Sequence, residues 1–331
     1  MQVDIIGGGA VGLLYGARLA EAGAGVTIWT RTASQAERLR EQGITWLPMG
    51  GGKARIAAVN SVWIEDKNGM QGERRRRANE ESSKRWILLT VKQTAINEEL
   101  LLKVNYLAGS DGASIMCMQN GVGHMKKVRG ALPESDLYAA VISEGALRHD
   151  DCTVEHTGAG ELWFGHVGEK ESIRDKYNEI SLKMFISCMQ SAGIAIFLSK
   201  EMDNRIYNKL LINAVINPLT ALFQLRNGEL PADPLRLKLM KAVYDESVQV
   251  LAAAGLKPPE ASFDRVLEVC RLTSGNRSSM LSDVQAGRKT EIAYINGGIA
   301  SIARERGRIA PLNEAMTALI ESLNHTSDKE K

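Results

Sequence analysis

The chain has 331 residues, 44% hydrophobic and 24% charged, with a net charge of +2. That length allows one large or two ordinary domains with a substantial core, and the near balance of charge gives no reason to expect a nucleic-acid partner. Four scattered cysteines (Cys117, Cys152, Cys188, Cys270) without a CxxC pair, and no apolar run of membrane length, predict reduced thiols in a soluble, cytoplasmic protein with no membrane partner.

The first half alternates strand and helix signals. "VDIIG" (3–7) is a short apolar run ending in glycines, followed by a helical stretch to about residue 22. "VTIWT" (26–30), "WILLTV" (86–91) and "ASIMCMQ" (113–119) are further strands, each followed by a helix-like segment. Runs this apolar suit a parallel sheet buried on both faces. Between 44 and 85 the pattern loosens, and "GERRRRANEESSKR" (72–85) reads as a solvated loop on a β excursion. Its four consecutive arginines could suggest an anion or nucleic-acid patch, but the acids that follow offset them. Segments 138–143 and 153–165 are also strand-like, with "HTGAGELWFG" (156–165) resembling the entry to a hairpin. His156 and His166 fall in this region without a metal-ligand set around them, so no metal is assigned.

From about residue 169 helical periodicity takes over, at 169–192, 201–222, 234–254, 260–272, 289–306 and 311–324. The expected fold is α/β: an N-terminal doubly wound sheet domain over 1–196 and an all-helical domain over 197–331.

"GGGAVG" (7–12) places Gly7, Gly9 and Gly12 in G-x-G-x-x-G spacing between the first strand and first helix, which is the context that dinucleotide binding requires. Gly7 permits the tight turn, Gly9 lets the backbone approach a pyrophosphate, and Gly12 allows close helix–strand packing. The helix N–H groups then face the phosphate charge. At the end of the second strand an acid would bind a ribose 2′-hydroxyl. "IWTRT" puts Arg31 there instead, which favours NADP(H); the alternative is an ordinary exposed arginine. "TVKQ" (90–93) and "MQNGVG" (118–123) follow two further strands, where open α/β sheets bind ligands. They offer Lys92 and Asn120, although Asn-Gly is also a common turn.

In "YNKLLINAVINPLTAL" (207–222) Lys209, Asn213 and Asn217 recur every four residues, so on a helix they form one polar stripe among apolar neighbours. Burying such groups unpaired costs on the order of 2–7 kcal/mol each, which a bound polar ligand would offset. The other readings are a surface lysine whose stem covers apolar ground, and an asparagine serving a kink before Pro218. Downstream, "NRSSMLSDVQAGRKTEIAYING" (276–297) sets Ser279 on a short helix and Glu291 on a helix starting near Thr290. Lys209, with its pKa lowered by apolar neighbours, could protonate the oxygen of a ketone receiving hydride. The two amides could hold substrate oxygens, Ser279 a carboxylate, and Glu291 the substrate hydroxyl or the lysine.

Taken together, "GGGAVG", "TVKQ", "QNGVG", "NKLLINAVINPLTAL" and "NRSSMLSDVQAGRKTEIAYINGGI" resemble the ketopantoate reductase family over nearly the whole chain. The resemblance implies a Rossmann domain followed by a helical domain, and NADPH-dependent reduction of 2-dehydropantoate to (R)-pantoate, a step in pantothenate and coenzyme A synthesis. It implies Lys209 and Glu291 as catalytic residues, and Asn213, Asn217, Ser279, Asn276 and Asn120 as substrate-binding residues. For the cofactor it implies Lys92 and Asn120, which join Gly7, Gly9, Ala10, Val11 and Gly12 of the glycine loop, Arg31 and Glu291 as the expected cofactor-binding residues. A small-molecule substrate is the expected partner, and a homodimer is an allowed assembly. The chain departs from the family in the 72–85 insertion and in Asn208, near where many relatives carry tryptophan. Two other readings stay open: a related 2-oxoacid reductase with another substrate, or an NADP(H)-binding sensor without turnover.

Overall fold

Residues 1–78, 85–110, 112–167, 176–257 and 262–325 are described by the computed structural model. They form two units, one of residues 1–119 with 124–202 and one of 120–123 with 203–331.

The first unit begins with β1 (Gln2–Ile6), α1 (Ala10–Glu21), β2 (Gly25–Thr30), α2 (Ala33–Gln42), β3 (Ile44–Leu47), β4 (Arg55–Ala57) and β5 (Asn60–Trp63). It continues with α3 (Lys67–Ala78), β6 (Trp86–Leu89), α4 (Glu98–Ala108), β7 (Ser114–Cys117), α5 (His124–Ala131) and β8 (Asp136–Ile142). It ends with β9 (Gly145–Arg148), β10 (Thr153–Gly158), β11 (Leu162–Gly165), α6 (Lys176–Ser191) and β12 (Ile196–Leu198).

Eight strands form the main sheet in the order β12-β11-β8-β7-β6-β1-β2-β5. From β5 to β8 every pairing is parallel, whereas β11 runs antiparallel to β8. The chain moves outward through β1, β2 and β5, then returns to lay β6 on the other side of β1. That reversal is the topological switch point at which doubly wound sheets bind ligands. The four residues of β6, "WILL", are fully buried. Trp86 and Leu88 enter the core shared with α1 and α6, while Ile87 and Leu89 enter the core shared with α4 and α5. Burial on both faces is why the strand reads as a continuous apolar run, each side chain contributing roughly 1.5–3 kcal/mol. Trp86 stacks on Phe185 with centroids 3.8 Å apart, and its indole N–H donates to Ser181 Oγ at 3.0 Å, which docks α6.

A second sheet, β4-β3-β10-β9, packs Trp46, Ala57 and Val154 into the core that holds α1. This corrects the hairpin expected at 156–165. β10 pairs with β9 and β3, but β11 pairs with β8 and β12, so the intervening glycines hand the chain from one sheet to the other.

The expected solvated loop at 72–85 is also corrected. Residues 72–78 belong to α3, and 79–84 lie outside the described residues. Glu and Arg are good helix formers, but among the described residues Met70 is the one apolar side chain of this helix in the core, too little to make a periodic signal. Arg74 lies over the Tyr106 ring at 4.6 Å, and Glu73 accepts from Asn60 at 2.8 Å.

The second unit is helical: α7 (Met202–Phe223), α8 (Pro234–Ala253), α9 (Phe263–Leu272), α10 (Ser279–Gln285), α11 (Asn296–Glu305) and α12 (Pro311–His325). Leu210, Leu211 and Ala214 of α7 enter one core, and Val215, Ile216 and Leu219 another, so the helix is buried on more than one side. The helix expected over 289–306 is interrupted. A 3-10 turn at Ile292–Tyr294 is followed by a break at Ile295 (φ −100°, ψ −88°) before α11. No helix among the described residues is long and apolar enough to cross a membrane.

Candidate functional site

The glycine loop follows β1, beside the switch point, and each of its glycines has a different reason to be there. Gly7 has φ +118°, and a Cβ on it would meet Val91 Cγ1 at 2.9 Å. At Gly12 a Cβ would lie 2.0 Å from the Gly7 carbonyl oxygen, so nothing larger fits. At Gly9 a Cβ would meet no atom within 4 Å. The fold therefore leaves open space above Gly9, which a closely approaching phosphate needs.

Gly9 is also the N-cap of α1 and makes no side-chain cap, and the first turn, which includes Ala10 and Val11, holds no acid. Its N–H groups remain available to an anion. The loop, with its open cradle and uncapped helix, fits a dinucleotide pyrophosphate. Thr90, at the end of β6, fastens it: the hydroxyl lies 3.0 Å from the Ile6 carbonyl oxygen and 2.9 Å from that of Gly7.

Arg31 is exposed directly after β2, and its guanidinium has no carboxylate partner among the described residues. Its carbonyl accepts from the Trp63 indole at 3.1 Å. Lys92 is half-buried at the start of the 3-10 turn Gln93–Ala95, after β6. Gln119, at the end of β7, donates to the carbonyls of Leu89 and Val91 at 2.6 and 2.9 Å, which ties the two strand ends together.

In the second unit Lys209 is half-buried on α7. Burial draws its pKa down to about 8, and the nearby Glu291 carboxylate acts in the opposite direction, favouring the charged amine. Along the same face come Asn213, half-buried, and Asn217, only 7% exposed. Neither amide hydrogen-bonds to another described residue, so a nearly buried Asn217 retains donors and an acceptor for something else.

Pro218 follows inside the helix and cannot donate to the Ala214 carbonyl four residues earlier. Asn296 Nδ2, on α11, donates to that carbonyl at 3.0 Å and also to Asn313 Oδ1 at 3.0 Å. The carbonyl freed by the proline is thus satisfied by Asn296, not by Asn217.

Two further segments gather on α7 and the break before α11. Ser278 caps α10 by accepting from Leu281 N at 3.0 Å, and its hydroxyl meets Thr220 Oγ1 of α7 at 2.8 Å. Ser279, the first residue of α10, is exposed beside this contact. Asn276 is exposed too, its carbonyl accepting from Asn227 N at 3.0 Å.

The 120–123 loop sits on the 291–295 turn. Val122 N donates to Tyr294 O at 3.0 Å, and Gly121 has φ +82° and no room for a Cβ, which would fall 2.4 Å from that oxygen. Asn120 and Glu291 are thereby carried on adjoining segments. Glu291 stands at the N-terminal boundary of the 3-10 turn, without a side-chain cap, and does not begin an α-helix, because the backbone breaks at Ile295. Sequence reasoning misses Thr90, Gln35 and Arg148, all of which grip the glycine loop; only the threonine, inside "TVKQ", stands near a recognised motif. Among the described residues no three His, Cys, Asp or Glu side chains cluster as metal ligands would.

Comparison with known proteins gives a consistent picture. Residues 3–169 match the family model described as Ketopantoate reductase PanE/ApbA, and residues 201–324 match its C-terminal counterpart. A curated 2-dehydropantoate 2-reductase of Bacillus subtilis is 31% identical over 329 residues, covering 99% of each chain. The crystal structure of a probable 2-dehydropantoate 2-reductase from Bacillus subtilis gives a TM-score of 0.76 at 30% identity, over 98% of this chain and 100% of that one. D-mandelate dehydrogenase, solved with NADH and anilino(oxo)acetate, shares the fold at a TM-score of 0.82 with 22% identity, over 98% and 99% of the two chains.

Proposed function

The chain belongs to the ketopantoate reductase family, and on that premise we propose that it catalyses NADPH-dependent reduction of 2-dehydropantoate to (R)-pantoate. The observation that carries this reading is Lys209: a half-buried amine, its pKa lowered to about 8, heading a face that ends in the nearly buried Asn217 amide.

A bound nicotinamide supplies the hydride. Hydride addition builds negative charge on the ketone oxygen, and Lys209 donates a proton to that oxygen, leaving a neutral amine that solvent reprotonates. With a pKa near 8 the amine is charged at neutral pH yet a stronger acid than an ordinary lysine. Glu291 sustains that charge. Asn213 and Asn217 take substrate hydroxyl and keto oxygens, which offsets the cost of burying an unpaired amide. Ser279, with Asn276 beside it, binds the carboxylate, and Asn120 bridges substrate and cofactor. The pyrophosphate rests on Gly7, Gly9, Ala10, Val11 and Gly12, with Lys92 at the neighbouring strand end. NADPH is preferred because Arg31 stands where an NAD site needs an acid. Cytoplasmic residence belongs to the same reading, supported by four cysteines that are all free.

The deciding experiment follows NADPH oxidation against a panel of aliphatic and aryl 2-oxoacids. 2-Dehydropantoate should give the highest kcat/KM. A tenfold preference for another acid would move the chain to a different substrate within the same chemistry, and no turnover on any would leave a binding protein.

A further inference from the structure

The glycine loop is gripped by two side chains from outside its motif. The Gly8 carbonyl oxygen accepts from Gln35 Nε2 at 2.8 Å and from Arg148 Nη1 at 3.1 Å. The same Gln35 amide donates to the Asp151 carbonyl at 2.9 Å, and the residue is only 6% exposed. Gln35 lies in the first turn of α2, four residues after Arg31, while Arg148 closes β9 in the second sheet. The turn they share is itself built: Asp150 Oδ1 accepts from the backbone of Cys152 and Thr153 at 2.8 and 2.7 Å. Asp151 lies 3.9 Å from Arg148 and 3.4 Å from Arg38, so the Arg148 charge is already answered within the protein.

We propose that Gln35 and Arg148 are positioning residues for the dinucleotide, acting through one peptide plane. In a trans peptide the C=O and the following N–H point in opposite directions. Drawing the Gly8 oxygen toward Gln35 and Arg148 therefore aims the Gly9 N–H the other way, and two donors on that oxygen polarise the N–H further. Three successive glycines are otherwise the least ordered segment a chain can offer, so fixing the plane beforehand removes an ordering cost from binding. The inference rests on the cofactor reading above and adds that the second sheet takes part in holding the nucleotide.

Because the pyrophosphate is common to both nicotinamide dinucleotides, the signature differs from that of Arg31. Folded Gln35→Leu and Arg148→Leu proteins, titrated with NADPH and NADH by nucleotide fluorescence, should show both Kd values raised by the same factor, roughly five- to thirty-fold. The loss should fall on the cofactor KM and not on kcat at saturation, and Arg148→Lys, which keeps a donor, should restore most of it. Unchanged Kd values in a protein that merely melts earlier would make the pair a structural brace and overturn the proposal. So would a loss confined to NADPH, which would put Arg148 on the 2′-phosphate. If Gln35→Leu does not fold, the exposed Arg148 and its lysine variant decide the matter. A wild-type chain binding neither nucleotide would overturn the cofactor reading itself, and this proposal with it.

Discussion

The two units present their candidate groups by opposite means. In the first, recognition is prepared by main chain: side chains are absent at Gly7, Gly9 and Gly12, and those nearby, such as Thr90, serve as fasteners. In the second the main chain of α7, apart from the Ala214 carbonyl freed by Pro218, is engaged in its own helix, and the candidate groups are the side chains of Lys209, Asn213 and Asn217. A site made of backbone tolerates no added atoms, whereas a site made of side chains tolerates no removed ones. Substitutions of opposite character should therefore break each.

The largest loss is expected from removing an atom in the second unit. Lys209→Met keeps the stem but not the proton, and kcat should fall about 100- to 10,000-fold while the NADPH Kd is unchanged. A folded variant within tenfold of wild type would return Lys209 to a packing role. The reciprocal change adds one methyl to the first unit. Gly12→Ala drives a Cβ onto the Gly7 oxygen, and overpacking of this kind costs roughly 1–3 kcal/mol. Both nucleotides should bind weakly and the melting temperature should drop; binding intact in calorimetry would mean that the loop adapts.

Arg31→Asp should sharpen the comparison, since it alters a side chain in the unit that works by backbone. NADPH binding should weaken by about 1.5–3 kcal/mol relative to NADH, the worth of a charge-assisted contact. An unchanged NADPH/NADH ratio would make Arg31 a bystander. For Ser279→Ala a smaller effect is expected, a rise in substrate KM worth about 1 kcal/mol with the cofactor KM unmoved. Equal rises in both would point to packing.

The subtlest effect is on pH. Lys209 must be protonated to act, and its charged fraction falls as pH rises through about 8, so the rate of reduction should be level below that pH and decline above it. Glu291 favours the charged form, so Glu291→Gln should shift the declining limb to lower pH. A limb that stays in place would uncouple the two residues.

How much of this was legible in the sequence follows from the same contrast. The glycine spacing is readable because steric demands such as that of Gly12 on Gly7 are local and admit one residue. The four-residue spacing of Lys209, Asn213 and Asn217 is readable because a helix repeats. Gln35 and Arg148, 27 and 140 residues from the carbonyl they hold, carry no periodic mark. The helix α3 hides because, among the described residues, only Met70 anchors it. Its misreading as loop, and the false hairpin at 156–165, share a cause: both depend on which distant strand or core a segment meets, and neither alternation nor charge records that. The break before α11 escapes for a similar reason, since the Tyr294 carbonyl is turned out to meet Val122.

Pro218 has one more consequence, in the order of assembly. Its missing N–H leaves α7 incomplete at Ala214 until Asn296, 82 residues later, supplies a donor, and Asn296 is in turn tied to Asn313, 17 residues beyond. On a ribosome, the helix bearing Lys209 emerges long before the residue that finishes it. A nascent chain halted before residue 296 holds a bare carbonyl inside a helix that is buried on more than one side, a group that costs free energy to bury and so keeps the segment from settling. The helix that carries the candidate chemistry thus completes its hydrogen bonding only with residues from the far end of the second unit.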